Sequence, residues 1–520
     1  MKRVAVVGSG PTGTSCVRAL LERGYDVTII DVGERLDGTR QAAVDRLNAA
    51  PRQEWSAADI ATVSSNATVR SETIPFKLAF GSDYIYGAAR THSRQVNVGA
   101  IPTYALGGFS TVWGGAMLPA ADIDLRGWPI DRARLEPHFR AVLAHVPLAG
   151  GRGDALTHEF PPYADVTDLP APPQGAALLH DLARASAKLD NMGVKASRAR
   201  LAVHAFANVH SRGCVHCGLC LSGCPTGAIY STVPEVEDWV RAGRIVYHGD
   251  RVVQEVRDDG RGATVAFKSS SGSQRGTETY DAVFLAAGPV SSTRVLLQSL
   301  SMWDKTVSLL DSQKFLVPIL RRRADRSAMR ADGNVLASAF VEMLDPAVSP
   351  HWVHCQISPM SRLLLDKAGA MGAAVLGPIL TRTLICWGSL HSDHSGRIDV
   401  TLRRESGEGV LSVVPREERQ TGAVVRRAVA KLGRVARAID SFVPPFSARL
   451  GAIGRSAHVG GSFPMALQPG ANHTDLLGRP AGLQRVYVVD ATTFPSVPGT
   501  TVALTAMANA HRIGMEAPLG

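Results

Sequence analysis

Four cysteines lie close together near the middle of the chain, at a spacing that suits ligation of a metal centre. The run reads Cys-x2-Cys-x2-Cys-x3-Cys-Pro, and its members are Cys214, Cys217, Cys220 and Cys224. Thiolates at this spacing hold iron–sulfur clusters, whereas pairs of zinc ligands are usually set further apart. Zinc and unconnected free thiols are the alternatives, and an iron–sulfur cluster is the preferred interpretation.

A second chemical signature is the glycine-rich turn near the beginning of the chain. Gly8, Gly10 and Gly13 follow an apolar strand and precede a helix, which is the context of a dinucleotide-binding turn. Glycine backbones approach a pyrophosphate closely there, at a helix N-terminus that favours negative charge. Asp31 ends the next strand, where a carboxylate accepts ribose hydroxyls and disfavours a 2′-phosphate. The turn predicts FAD or NAD and argues against NADP.

The C-terminal half of the chain favours a flavin. One apolar strand ends in Ala-Ala-Gly288, and another, over 486–489, ends at Asp490, whose carboxylate is placed for a ribityl chain or a pyrophosphate-bound water. His458 precedes a Val-Gly-Gly-Ser sequence. An imidazole titrates near neutral pH and suits removal of the hydroxyl proton when an alcohol is oxidised. We therefore predict His458 as a general base.

The elements that must position these groups predict an α/β fold. Residues 3–35 read as strand, glycine turn, helix and strand, and strand patterns dominate from about 310 to 415, before a helix over about 416–441. We predict a discontinuous Rossmann-type FAD-binding domain with an inserted antiparallel-sheet substrate domain backed by helices. The predicted boundaries are 1–130, 225–300 and 450–520 for the FAD-binding domain, 131–224 for an inserted linker segment ending in the cysteine motif, and 301–449 for the substrate-binding domain.

The composition is that of a globular protein in a reducing compartment. Apolar residues make up 45% of the 520 residues, and the four clustered cysteines among seven argue against a disulfide scaffold. We expect no signal peptide, because the first strand begins within a few residues of Met1. The longest uncharged stretch, 368–381, is too short for a transmembrane segment. The net charge of +10 comes without a nucleic-acid-binding motif, and its basic helix over 426–437 reads as a solvated face.

Across nearly its whole length the chain resembles the glucose–methanol–choline family of FAD oxidoreductases. The motifs that carry the resemblance are the N-terminal glycines with Asp31, Gly107-Gly108…Trp113-Gly114-Gly115, Ala286-Ala287-Gly288, the His458 motif, Val489-Asp490-Ala491 and residues 503–507. The resemblance implies bound FAD, contacted by Gly108, Ser110, Trp113 and Gly114 besides the residues above. His391-Ser392-Asp393 and Thr505-Ala506-Met507 lean toward pyranose 2-oxidases, although we interpret His391 and His394 themselves as part of a polar turn.

Two departures from the family pattern change what the resemblance implies. Pyranose 2-oxidases attach FAD through a histidine just before the tryptophan of the flavin loop, and Val112 stands there in this chain. We therefore expect non-covalent FAD. The family pairs its catalytic histidine with a second His or Asn, and the matching position is Thr501, or alternatively Thr500. Thr501 could orient the substrate hydroxyl without accepting its proton.

The cysteine run has a second resemblance, to the catalytic subunits of FAD-dependent glucose, gluconate and fructose dehydrogenases. Those subunits carry a C-x5-C-x3-C-P run that binds a three-iron cluster near the flavin, and Cys214, Cys220 and Cys224-Pro225 match it. Cys217 is additional. It would be a fourth ligand of a four-iron (4Fe-4S) cluster or a bystander of a three-iron (3Fe-4S) cluster.

Together these features predict an FAD-dependent dehydrogenase that oxidises an alcohol group of a sugar- or polyol-like substrate to a carbonyl. Hydride would pass to flavin N5, and single electrons would pass through the cluster to an external acceptor protein. We expect a cytoplasmic protein, or export on the signal of a small partner subunit. The alternatives are an oxidase that uses O2 and has a structural cluster, and a non-catalytic flavin and iron–sulfur redox sensor.

Overall fold

The computed structural model describes residues 2–64, 78–86, 93–95, 100–151, 154–325, 333–360, 377–405 and 407–519. Most of the uncharged stretch 368–381 lies outside these residues. The helices are α1 (Pro11–Glu22), α2 (Gly38–Ala49), α3 (Ala57–Ser64), α4 (Arg132–Leu143), α5 (Pro173–Arg184), α6 (Ser186–Asp190), α7 (Val233–Arg241), α8 (Pro289–Ser299), α9 (Thr421–Ala438) and α10 (Ala503–Glu516). None of the helices in the described part of the chain has the length and hydrophobicity that a membrane span requires.

The strands are β1 (Arg3–Val7), β2 (Asp26–Ile30), β3 (Ser93–Gln95), β4 (Val194–Arg198), β5 (Val246–His248), β6 (Val252–Asp258), β7 (Ala263–Lys268), β8 (Arg275–Tyr280), β9 (Ala282–Leu285), β10 (Thr306–Asp311), β11 (Lys314–Arg321), β12 (Ala339–Asp345), β13 (Ser349–Pro359), β14 (Thr383–Ser389), β15 (Arg397–Glu405), β16 (Glu408–Arg416), β17 (Ser441–Phe442), β18 (Arg449–Leu450), β19 (Val459–Gly460) and β20 (Val486–Val488). They form four sheets, one of them the separate meander β6-β7-β8.

A parallel sheet carries the predicted nucleotide-binding turn. Its order is β20-β9-β1-β2-β5, and β1 pairs in parallel with both β2 and β9. The strands are apolar on both faces, as expected for a parallel sheet covered by helices. They come from three separated parts of the chain, which gives the predicted α/β fold. The domain boundaries given above stay a prediction.

The strands predicted between residues 310 and 415 are confirmed, but they divide between two sheets. Strands β11 to β14 belong to a larger sheet of order β17-β11-β14-β13-β12-β4, whereas β15 and β16 join β10, β19 and β3. The alternation of apolar residues is the same in both sheets, so it marks each strand without choosing its partner. The helix predicted behind them is α9, which begins at Thr421 rather than 416.

The larger sheet has two different faces. One face packs with α5 and α9 into an apolar core that includes Phe315, Val341 and Cys355. Directly paired residues on the other face form a polar row across four strands, because register places side chains of paired residues on the same side. This polar row consists of Lys314, Ser389, His354 and Glu342.

Substitution of Gly388 in this sheet should destabilise the protein. A Cβ at this position would lie 2.0 Å from Cζ of Phe315, whose side chain is buried. We expect Gly388→Ala to lower the free energy of unfolding by about 1–3 kcal/mol, since overpacking forces neighbours out of place. Chemical denaturation measures this change.

The matched control is Gly433→Ala in α9. Its new Cβ would have no atom closer than Nη1 of Arg437 at 4.0 Å, so the same substitution should stabilise the protein by roughly 0.5–1 kcal/mol through helix propensity. Equal shifts in the two variants would contradict the packing at Gly388.

Candidate functional site

The glycine turn between β1 and α1 is possible only without side chains. The backbone φ of Gly8 is +106°, and a Cβ there would lie 2.5 Å from the carbonyl oxygen of Ala286. A Cβ on Gly13 would lie 2.0 Å from the carbonyl oxygen of Gly8. Gly10 is the N-cap of α1 and contributes no capping side chain, so the first N–H groups of the helix are left for a ligand.

Asp31 is connected to this turn by a hydrogen bond. Its carboxylate accepts hydrogen bonds from the Ser9 hydroxyl and from the N–H of Val32. Burial raises the pKa of the Asp31 carboxyl to about 6, against these hydrogen bonds, which lower it. The carboxylate is thus held at the end of β2, where the sequence predicts a contact with ribose.

The flavin loop predicted from the sequence lies against the same turn. Gly107 donates its N–H to Oγ of Ser9 at 2.9 Å, and a Cβ on Gly108 would lie 3.2 Å from Cα of Gly10. Further along the loop, a Cβ on Gly114 would meet no atom within 4 Å. The loop therefore packs tightly at its start and leaves open space in front of Gly114.

Gly288 and Asp490 are brought together at the start of α8. Asp490 is buried and accepts hydrogen bonds from the Ser292 hydroxyl at 2.5 Å and from the N–H of Thr492 at 2.9 Å. The N–H of Gly288 also bonds to it, and burial raises its pKa. A Cβ on Gly288, whose φ is +80°, would meet no atom within 4 Å. The backbone here is free to approach a ligand.

These residues fit FAD. Two helix N-termini, Gly288 with open space before it, the half-buried Asp31 and the buried Asp490 are assembled at one edge of the parallel sheet. This edge is where nucleotide cofactors bind in doubly wound folds. Gly8 and Gly13 allow the close approach of backbone segments, whereas Gly114 and Gly288 leave space that a cofactor could occupy.

His458 is held by its backbone and leaves its ring uncommitted. Its N–H donates to Oγ of Ser456 at 2.8 Å, and its carbonyl accepts from the N–H of Ser312 at 3.0 Å. Nδ1 is buried without a hydrogen-bond partner. Burial lowers the pKa of the imidazole well below its usual value, and the charges of Lys314 and His354 lower it further. At neutral pH the ring is therefore uncharged and able to accept a proton.

The threonines predicted as second catalytic group are both engaged with protein atoms. Oγ1 of Thr501 accepts from the N–H of Leu118 at 2.7 Å and donates to its carbonyl at 3.1 Å. Oγ1 of Thr500 donates to Asp124 at 3.2 Å. Both threonines are buried. The orienting role of Thr501 stays a prediction. The single hydroxyl hydrogen of Thr501 is already donated to the carbonyl of Leu118.

The cysteine run folds so that its sulfurs share one environment. The pKa values of Cys214 and Cys217 are both raised to about 11, mainly by burial. Neighbouring thiols contribute to the rise: Cys220 and Cys224 act on Cys214, and Cys224 acts on Cys217. N–H groups of the run bond to sulfur, among them that of Ala228 to Cys224 Sγ at 3.2 Å. All four cysteines are free of disulfide bonds. Such N–H···S bonds stabilise thiolates that hold a cluster.

The segment after the run bonds directly to the nucleotide-binding elements. The Trp113 indole donates to the carbonyl of Tyr230 at 2.7 Å, and the Thr232 hydroxyl donates to the carbonyl of Ser9 at 2.8 Å. The N–H of Thr232 also donates to Oγ of Ser110 at 3.1 Å. Sequence reasoning missed Thr232, which belongs to no motif, whereas Tyr230 ends the stretch 226–230 that continues the resemblance to the dehydrogenase subunits. They connect the cysteine run to the turn that binds the nucleotide.

The sequence pattern around the histidines near residue 392 was a correct indication, whereas none was used for Lys314. The turn at 392–394 between β14 and β15 confirms the interpretation of His391 and His394, and the His391 ring stacks on that of His351 with centroids 3.7 Å apart. Lys314 was missed, although a lysine that opens the apolar strand Phe315–Leu320 is an unusual residue that could have drawn attention.

Comparisons with known proteins agree with the fold, with the cysteine run and with the C-terminal part of the family resemblance. Residues 393–510 match the family model described as GMC oxidoreductase, and residues 208–230 match that of the 4Fe-4S binding domain. Among solved structures, pyridoxine 4-oxidase from Mesorbium loti shares the fold, with a TM-score of 0.61 and 14% identity over 99% of this chain and 98% of that chain. No curated protein matches this chain. These matches confirm the resemblance to glucose–methanol–choline oxidoreductases. They support an oxidoreductase, and the family implies that its cofactor is FAD.

Replacement of a cysteine in the run should remove or shrink the cluster. We expect three or four iron atoms per chain in the natural protein and almost none in Cys220→Ser, because the missing thiolate opens the cluster. Cys217→Ser should keep no more than a three-iron cluster, since Cys217 shares the environment of Cys214 and Cys224. Iron and sulfide analysis with electron paramagnetic resonance measures both.

Cys16→Ala is the control for this experiment. Cys16 is buried in α1 and should not affect the iron content. Full iron content in Cys220→Ser, or flavin without iron in the natural protein, would contradict the assignment.

Proposed function

We propose that this protein is an FAD-dependent dehydrogenase that oxidises an alcohol group of a sugar- or polyol-like substrate to a carbonyl. In this proposal a cluster held by the cysteine run passes the electrons, one at a time, to an external acceptor protein. The observation that carries the proposal is the bonding of the segment after the run to the nucleotide-binding turn, through Tyr230 and Thr232. A short connection of this kind supports electron transfer between the two sites.

The proton is assigned to His458. Its ring is neutral at pH 7, its Nδ1 lies buried, and its backbone is fixed on both sides, so that the ring can take the hydroxyl proton without first losing one. Bound FAD supplies the hydride acceptor, and the iron–sulfur cluster supplies a one-electron carrier. Asp31 and Asp490 hold the nucleotide and the ribityl side of the site.

Apolar side chains exposed beside the cysteine run support transfer to a macromolecular acceptor. Phe206, Val209 and Leu221 are 71%, 93% and 47% exposed. The first two belong to the loop whose His204 carbonyl accepts from the N–H of Cys214 at 3.0 Å. Exposed apolar surface of this kind marks interaction sites, and the net charge of +10 favours an acidic partner.

An oxidase is the second candidate, because the fold neighbour is named an oxidase. At 14% identity this likeness shows the fold alone, and it gives a reason to include pyridoxine among the substrates tested. D-glucose and sorbitol represent the sugar- and polyol-like class.

Removal of the proposed base should slow the reduction of the flavin. We expect His458→Gln to lower the anaerobic rate roughly 10²- to 10⁴-fold, with an unchanged flavin spectrum, because the hydroxyl proton loses its acceptor. His158→Gln, an exposed position, is the control. The acid limb of the natural rate should lie below pH 6.5, since a His458 pKa below its usual value keeps the ring neutral down to lower pH. An acid limb at or above pH 6.5 would argue against His458.

Electron export can be separated from flavin reduction with Cys220→Ser. We expect this variant to be reduced by substrate at the natural rate and to lose transfer to an acidic one-electron acceptor such as a ferredoxin or cytochrome. Peroxide formation measured in air distinguishes the oxidase. Peroxide released as fast as the carbonyl product forms would replace the dehydrogenase proposal with the oxidase.

A further inference from the structure

The reaction proposed above needs more than a base. As hydride leaves the carbon, negative charge develops on the substrate oxygen, and a hydrogen-bond donor aimed at that oxygen lowers the barrier. The threonine hydroxyls that the family pattern would use have given their only hydrogens to Leu118 and Asp124. A different donor has to serve, if the site carries one.

Lys314 is fixed on the same backbone unit as His458. Asp311, three residues before it, pairs with Val459 in the β10–β19 ladder, and the N–H of Ser312 binds the carbonyl of His458. The carbonyl of Lys314 accepts from the N–H of Gly451 at 2.8 Å. The turn from β10 into β11 therefore positions both side chains.

The ammonium of Lys314 has no protein partner among the described residues. The charge of Asp311 acts on it, but the two carboxylate oxygens of Asp311 accept from the Ser456 hydroxyl and from the N–H of Gly454. Burial lowers the pKa of Lys314 to about 8, while Asp311 opposes that shift. Lys314 is half-buried, and none of its three ammonium hydrogens is committed to a protein acceptor among the described residues.

The surroundings of Lys314 are polar on one side of the sheet only. It begins the polar row, in which Ser389 pairs with both Lys314 and His354, and His354 bonds through Nδ1 to Glu342. Nε2 of His354 and Oε2 of Glu342 are buried without partners. Apolar side chains fill the opposite face. The charges of Lys314 and His354, two members of this row, act on His458, and convergent polar groups of this kind are typical of a substrate site.

We propose that Lys314 is a second catalytic residue, whose ammonium donates a hydrogen bond to the substrate oxygen that His458 deprotonates. The inference rests on the proposed alcohol oxidation. The O–H bond breaks with its proton passing to His458, the C–H bond breaks with its electron pair passing as hydride to bound FAD, and the C–O bond becomes the carbonyl. Lys314 keeps its protons and stabilises the negative charge on oxygen.

Three substitutions test this role. Lys314→Met keeps the length and removes the charge, Lys314→Gln removes it with a polar group, and Lys314→Arg retains a cation. Lys305→Met, at an exposed lysine, is the matched control. With pyridoxine, D-glucose and sorbitol as probes, we expect anaerobic flavin reduction to slow about 10²- to 10³-fold in the Met and Gln variants, mainly in kcat, because the interaction strengthens in the transition state. The Arg variant should recover most of the rate.

Two measurements report the positive charge of Lys314 and would not change if the residue were merely structural. The acid limb of flavin reduction should move to higher pH in Lys314→Met, because loss of the cation raises the pKa of His458 toward its usual value. Acetate, a stable anionic oxygen, should perturb the flavin spectrum of the natural protein, and its affinity should fall about tenfold or more without the cation, by the loss of a charged hydrogen bond.

The outcomes separate this inference from the proposed function. If no probe reduces the flavin, the alcohol oxidation fails, and acetate binding still decides whether Lys314 binds an anionic oxygen. Unchanged acetate affinity and unchanged rates in the Met and Gln variants would overturn the inference. Loss of acetate binding with normal oxidation of neutral alcohols would also overturn it, because Lys314 would then bind a carboxylate away from the reacting oxygen. If Lys314→Met does not hold FAD, the rates and acetate affinities of Lys314→Gln and Lys314→Arg are compared instead, and the same outcomes decide the inference.

Discussion

Backbone atoms approach one another at the start of α1 more closely than any side chain would permit. The crossing of Gly8 and Gly13 with the strand end at Ala286 brings the first turn of α1 to the edge of the parallel sheet. Ser9 then stands where it bonds at once to Asp31, to Gly107 and to Thr232. The flavin loop and the segment that follows the cysteine run are both attached to this single residue of the turn, so their positions depend on the crossing.

Burial without compensation is the second constraint, and it acts in opposite directions on acids and bases. It raises the pKa of Asp31 and Asp311 to about 6, and hydrogen bonds to both carboxylates restrain that rise. It lowers the pKa of His458 and Lys314, for which no such hydrogen bonds exist among the described residues. The proposed reactive groups are thus the ones that the fold leaves uncompensated, a pattern typical of functional sites.

Local sequence patterns were sufficient for some of this arrangement. The strand, turn and helix over residues 3–30 were predictable because glycine spacing and apolar runs act within a short window. The division of β10 to β16 between two sheets was not, since the choice of strand partner depends on distant residues. His458 stood out through its family motif, whereas Lys314 gained meaning from its register beside Ser389 and from the backbone bond that joins Ser312 to His458. The double engagement of Thr501 by Leu118 has no trace in the sequence.

The covalent stretch from Cys224 to Thr232 has a mechanical consequence. Cys224 belongs to the run, and eight residues later Thr232 binds Ser9 and Ser110. Unless the run is ordered, this stretch has no fixed end from which to reach the turn. Any displacement of the run is therefore transmitted along eight residues of backbone to the hydrogen bonds that Thr232 makes with Ser9 and Ser110.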